Sequence, residues 1–261
     1  MKQKIESADV HVEVDGHVAL VEMRRPPHNF LDFGLIASLV ETFERLDADP
    51  RCRAIVLAAE GRSFCAGGDF SGGGSGAPGA GMSVANAYAN AVRLFRTGKP
   101  VVAAVQGPAI GGGLGLALVA DFRITCPEAR FSANFNRLGF HPGFGLSVTL
   151  PRLVGPQRAA LLLYTGRRID GDEAAAIGLA EESVPHGAVR ERAIALAEEI
   201  AISAPIAVAS TRRTLRGRLA DEVQAATEHE AAEQQLHFAT EDFREGVAAM
   251  AQRRAPDFKG R

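Results

Sequence analysis

The chain has 261 residues, 46% of them hydrophobic, enough to bury one sizeable core. Its formal net charge is −2, which excludes the strongly basic footprint of a nucleic-acid-binding protein. Three cysteines, Cys52, Cys65 and Cys126, with no CxxC pair, point to reduced thiols in a cytoplasmic protein rather than to a disulfide scaffold.

In chain order, the opening MKQKIESADV lacks the apolar stretch of a signal peptide. Residues 10–23 alternate around Asp15-Gly16 and predict a hairpin, ended by Arg24-Arg25-Pro26-Pro27. Leu35, Ile36, Leu39, Val40 and Phe43 have helical spacing and predict a helix over Asp32–Leu46. Strand and helix then alternate: strand 54–59, helix 83–97, strand 100–105, helix 111–120, strand 121–126. Leu150–Tyr164, Asp170–Gly178 and Val189–Ala201 read as shorter helices. Residues 205–250 are strongly helical, interrupted only at Gly217 and Gly246. The longest apolar run, near 114–120, is too short to span a bilayer, so no membrane partner is expected.

Residues 71–81, SGGGSGAPGAG, read as a low-complexity loop. They contain a literal GxGxxG at Gly74, Gly76 and Gly79. A dinucleotide site needs that pattern to open a helix directly after a strand, and here it sits within a glycine tract. There is no GK[ST] for a phosphate loop. His229-Glu230-Ala231-Ala232-Glu233 lacks the second histidine of a zinc helix, so no metal is expected.

Two segments carry chemistry. Val101–Val105 reads as a buried strand, followed by Gly107-Pro108, the triplet Gly111-Gly112-Gly113 and an apolar helix. Ala54–Ala59 is another buried strand, followed by the small-residue turn Ala66-Gly67-Gly68-Asp69. The first N–H groups of a helix lack internal partners and carry partial positive charge, and glycines let a ligand oxygen approach them. Two such turns can supply one N–H each to a single oxygen that becomes an oxyanion. For either turn alone, tight packing explains the glycines equally well.

The blocks SFCAGGDF, KPVVAAVQGPAIGGGLGLALVADFRI, LGFHPGFGLSVTLPRLVG, TGRRIDGDEAAAIGLAEESV and EDFREGVAAMAQRRAPDFKGR resemble the crotonase superfamily, the enoyl-CoA hydratase/isomerase family. The resemblance runs from about Val10 to the end. It implies an α/β fold with a crotonase-type ββα spiral core, residues 1–200, and a helical C-terminal trimerisation region, residues 201–261. It implies an enzyme of fatty acid metabolism acting on an acyl-CoA thioester, with no cofactor beyond the CoA moiety of the substrate, assembled as a homotrimer or dimer of trimers.

The resemblance also assigns residues. The N–H groups of Gly68 and Gly112 form an oxyanion hole for the thioester. Ala66, Gly67 and Asp69 border the CoA. Arg24, Arg25 and His28 fall where relatives place cations near the CoA phosphates, and a solvated basic patch is the alternative. Arg253 matches a lysine that reaches a neighbouring subunit's CoA. Hydratases of this family use two glutamates, and this sequence has Gly115 and Phe135 at those positions. His141, on the loop LGFHPGFG, is the candidate replacement acid or base, against the plainer reading of a loop-packing histidine. Three functions remain open: an enolate-forming decarboxylase, C–C hydrolase or isomerase, a hydratase with a carboxylate from elsewhere, or a non-catalytic acyl-CoA binding protein.

Overall fold

The fully apolar runs of the sequence become the inner strands of a sheet. A computed structural model of the chain describes residues 3–6, 9–70 and 83–261. Strands β1 (Gln3–Glu6), β2 (Val10–Asp15) and β3 (Val18–Met23) form an antiparallel ribbon, with Asp15 opposite Val18 across the predicted turn. β3 then pairs in parallel with β4 (Ala54–Ala59), which pairs with β5 (Val101–Val105). Every residue of β4 and β5 is buried, as befits parallel strands covered on both faces. β7 (Phe122–Thr125) and β10 (Glu182–Ser183) complete a seven-stranded sheet in the order β1-β2-β3-β4-β5-β7-β10. A second sheet of three short strands, β6 (Ala109–Ile110), β8 (Arg130–Ser132) and β9 (Ile169–Asp170), lies beyond the end of β5.

Helix α1 (Phe33–Ala48) starts where Asp32 accepts the Leu35 N–H at 2.8 Å, and it buries the predicted apolar stripe. α2 (Val84–Phe95) is capped by Ser83, α3 (Gly112–Ala117) opens on the glycine triplet, and α7 (Val189–Ala201) has the predicted bounds. The predicted helix Leu150–Tyr164 is instead two, α4 (Leu146–Val154) and α5 (Pro156–Thr165). Gly155 at φ 79° turns the chain, and Pro156 starts the next helix at its first position. α6 (Gly171–Ala176) follows.

The C-terminal region holds α8 (Pro205–Arg216), α9 (Leu219–His237) and α10 (Glu241–Ala251). Gly217 ends α8 as predicted. Gly246 does not interrupt the helices: it lies within α10, where the backbone of Leu138 occupies the space of a Cβ. The second break falls at residues 238–240, where Thr240 caps α10 by accepting the Phe243 N–H. Among the described residues no single helix is long and apolar enough to cross a membrane. The predicted loop 71–81 lies outside the described residues.

One buried charge ties α7 to the sheet. The Glu22 carboxylate on β3 accepts from Arg24 at 2.7 Å and from Arg190. Burial pushes its pKa up, but hydrogen bonds from the two guanidiniums outweigh this and hold it below the usual glutamate value of 4.5. A depressed folded-state pKa contributes stability above the unfolded pKa, and that contribution is lost as pH falls through the folded value. We expect Glu22→Gln to lose on the order of 1–3 kcal/mol at neutral pH, and to lose less further stability than the native chain on acidification below about 4.5. Denaturant titrations at pH 7 and pH 4 test this.

Candidate active site

The two glycine turns meet because the strands that deliver them are neighbours. β4 and β5 run parallel, with Ile55 opposite Val101, so both turns emerge at the same sheet edge. There the backbones lock. Cys65 N–H donates to Pro108 O and Ile110 N–H donates to Cys65 O, both at 3.0 Å. The fit tolerates no side chain. A Cβ on Gly113 would lie 2.0 Å from the Cys65 carbonyl oxygen, and one on Gly67 would lie 2.6 Å from that of Ile110.

Beside this lock is a cavity of about 360 Å³. Ala66, Gly67, Gly68 and Asp69 line it from one turn, and Ile110, Gly111 and Gly112 from the other. Gly112 is the first residue of α3, so its N–H has no partner within the helix. Neither the Gly68 nor the Gly112 N–H donates a hydrogen bond among the described residues. The structure therefore brings together the two predicted donors and Ala66, Gly67 and Asp69. The other walls are mostly apolar and rich in aromatic rings, including Phe30, Phe70, Phe135, Phe140, Phe144 and Phe238. Asp69 is the one carboxylate among the described lining residues.

The remaining predicted residues stand elsewhere. His141 does not line this cavity. Its backbone N–H donates to His237 Nδ1 at 3.0 Å, its ring nitrogen Nδ1 is 2.8 Å from Pro142 O, and it lines a separate depression with His237, Tyr164 and Ser147. The loop turns its carbonyl, not its imidazole, toward the cavity side, where Gln234 donates to His141 O at 2.9 Å. Arg24, Arg25 and His28 also lie off the lining. Arg24 is held by Glu22, and Arg25 by Asp9 and Asp32 at 2.6 Å each. His28 Nδ1 sits 3.2 Å from Ser63 Oγ, and its ring packs edge-on against Phe30, which does line the cavity. Arg253 is exposed just beyond α10 and off the lining, whereas Met250 reaches it.

At the two glutamate positions, Phe135 faces the cavity and Gly115 is buried inside α3. A Cβ on Gly115 would lie 2.7 Å from Phe144 Cβ and 2.8 Å from its Cδ1, so Phe144 fills the space a side chain there would need. Phe144 is held at φ 61° between Gly143 and Gly145. Tyr88 seats its hydroxyl against Gly143 and donates to Gln234 Oε1 at 3.0 Å. Burial pushes the Tyr88 pKa up, so it stays a hydrogen-bond donor. Sequence reasoning missed Phe144, Tyr88, Gln234 and Arg168 as lining residues. Cys65, fully buried, has its thiol pushed up to about 12 by burial and is not a nucleophile.

A spiral of parallel strands whose glycine turns present two unpaired N–H groups to an apolar cavity is the frame of an acyl-thioester enzyme. The sequence model of the enoyl-CoA hydratase/isomerase family matches residues 13–261, and the chain belongs to that family. The chain is 34% identical to the enoyl-CoA hydratase EchA19 of Mycobacterium tuberculosis, over 97% of each chain. It is 35% identical to a carnitinyl-CoA dehydratase of Proteus mirabilis, over 98% of this chain and all of the relative. Among solved structures, an enoyl-CoA hydratase/isomerase from Pseudoalteromonas atlantica superposes with a TM-score of 0.87 at 32% identity, covering 96% of this chain and all of the other.

The Gly115–Phe144 contact is testable. Gly115→Ala should destabilise the fold by about 1–3 kcal/mol through overpacking. Adding Phe144→Leu should recover part of that loss, a coupling that a double-mutant cycle in denaturant measures. Additive losses would show that the two residues do not compete for one space.

Proposed function

We propose that this protein binds a CoA thioester in the aromatic cavity and stabilises its enolate with the N–H groups of Gly68 and Gly112. The single observation that carries this reading is that Gly68 and Gly112, whose N–H groups have no partner among the described residues, line one largely apolar cavity. Negative charge moves onto the thioester oxygen as the enolate forms. Fixed donors there are worth roughly 100–1,000-fold in rate each. Ala66, Gly67 and Asp69 border the thioester on the CoA side. The reaction is not hydration by paired glutamates, since Gly115 and Phe135 supply no carboxylate. His141 has no part in it on this reading, because its imidazole belongs to the separate depression. The protein works in the cytoplasm as a homotrimer or dimer of trimers, with residues 201–261 as the assembling region.

Proton–deuterium exchange at the α-carbon of butyryl-CoA, with a buffer base accepting the proton, followed by NMR in D2O, reads enolate formation directly. Catalysed exchange is expected in the native protein, with a loss of about 100-fold or more in Gly112→Pro, which deletes one donor. Native-like exchange in a folded Gly112→Pro would remove the oxyanion role. Crotonyl-CoA hydration should be weak in the native protein, and vigorous hydration would show that a carboxylate from another position completes a hydratase site. Sedimentation should give three or six chains, and a monomer would contradict the assembly.

A further inference from the structure

We propose that Arg168 and Asn134 form an anion-reading corner of this cavity, so that the preferred substrate is a CoA thioester whose acyl chain carries its own carboxylate. The inference rests on the acyl-CoA reading above and names its substrate class.

The small sheet fixes where Arg168 stands. β6 and β8 pair in parallel with Ile110 opposite Ser132, and β8 and β9 pair antiparallel with Phe131 opposite Ile169. Continuing that register by one residue sets Arg168 beside Ser132, in line with Ile110. Residues side by side across strands share a face. Ile110 and Arg168 both line the cavity, as that alignment requires. On its other side β6 is bridged to Cys65, through Ala109. The turn Ala66–Asp69 and Arg168 therefore flank Gly111-Gly112 from opposite sides. A thioester whose CoA stem follows Ala66–Asp69 and whose oxygen sits on Gly68 and Gly112 directs its acyl chain toward Phe135, Asn134 and Arg168.

Arg168 is exposed and uncommitted. Its neighbours are engaged: Arg130 donates to Pro127 O and Ala129 O at 2.7 Å, Arg137 donates to Thr165 O at 2.8 Å, and Arg167 pairs with Glu173 at 3.8 Å. Arg168 makes no hydrogen bond or ion pair among the described residues. Asn134 behaves alike. Its Oδ1 lies 3.8 Å from where a Cβ on Gly111 would sit, and its amide makes no hydrogen bond among the described residues, whereas Asn136 two residues on donates to Tyr164 O at 2.6 Å. Two unengaged polar side chains on a largely apolar wall select a ligand that is apolar along its length and anionic where it meets them. A guanidinium matches a carboxylate through two parallel hydrogen bonds.

The test compares matched acyl-CoAs by titration calorimetry: succinyl- against butyryl-CoA and adipoyl- against hexanoyl-CoA, with free CoA as reference. The native protein is expected to bind at least one carboxylate-bearing partner about tenfold to a hundredfold more tightly than its neutral match. Arg168→Gln should abolish that preference and leave free-CoA affinity unchanged. Asn134→Leu should reduce the preference in the same direction. Equal binding within both pairs by the native protein would overturn the proposal. So would an Arg168→Gln variant that loses free CoA as severely as the thioesters, since the arginine would then be reading the CoA phosphates. Failure of every CoA thioester and of free CoA to bind would overturn the acyl-CoA reading itself.

Discussion

The carbonyl oxygens of Cys65 and Ile110 press against the α-carbons of Gly113 and Gly67, and the site depends on that contact. It sets the spacing of the two turns by backbone geometry alone. The Gly68 and Gly112 N–H groups are therefore held by peptide planes, not by rotamers. Dipoles fixed in this way need no reorganisation when charge develops opposite them. The same contact explains why β4 and β5 must be adjacent and parallel, with their turns at one edge. The strict burial of AIVLAA and VVAAV is the consequence of that position in the sheet.

This part was legible in the sequence for a physical reason. Buried parallel strands are short continuous apolar runs, and a turn that brings backbones into contact can use only glycine. The hairpin about Asp15-Gly16 and the capped stripe of α1 follow equally local rules. What was not legible arises from contacts between distant segments. Strands β6, β8, β9 and β10 have two to three residues and carry no periodicity. The split between α4 and α5 was present as Gly155-Pro156, but the apolar spacing on both sides masked it. Arg24 and Arg25 looked free for phosphates because their partners, Glu22, Asp9 and Asp32, are assigned only by the fold. His141 looked free because its loop orientation is set by His237 and Gln234, over ninety residues away.

Phe144 shows how one aromatic side chain reshapes the wall. It stands in the space beside Gly115, its backbone is held in the left-handed region between two glycines, and the Tyr88 hydroxyl seated on Gly143 braces the same loop. The cavity is thereby lined with rings where a carboxylate would otherwise enter. An apolar wall strengthens the remaining polar contacts, because the N–H dipoles and any guanidinium at the rim act through a lower effective dielectric than water. Phe144 thus sets both the space beside Gly115 and the apolar character of that wall.

That coupling constrains which enolate chemistry suits the cavity. Decarboxylation forms an enolate without a base, which answers the lack of paired glutamates. The carboxylate that departs, however, transfers its negative charge to the thioester oxygen as the C–C bond breaks. Contacts from Arg168 to that group would weaken on the way to the transition state, so they would stabilise the ground state and slow the reaction. A carboxylate read by Arg168 therefore suits catalysis only if it stays on the acyl chain, away from the bond that changes. In that arrangement its binding energy is the same in both states and serves to align the thioester on Gly68 and Gly112.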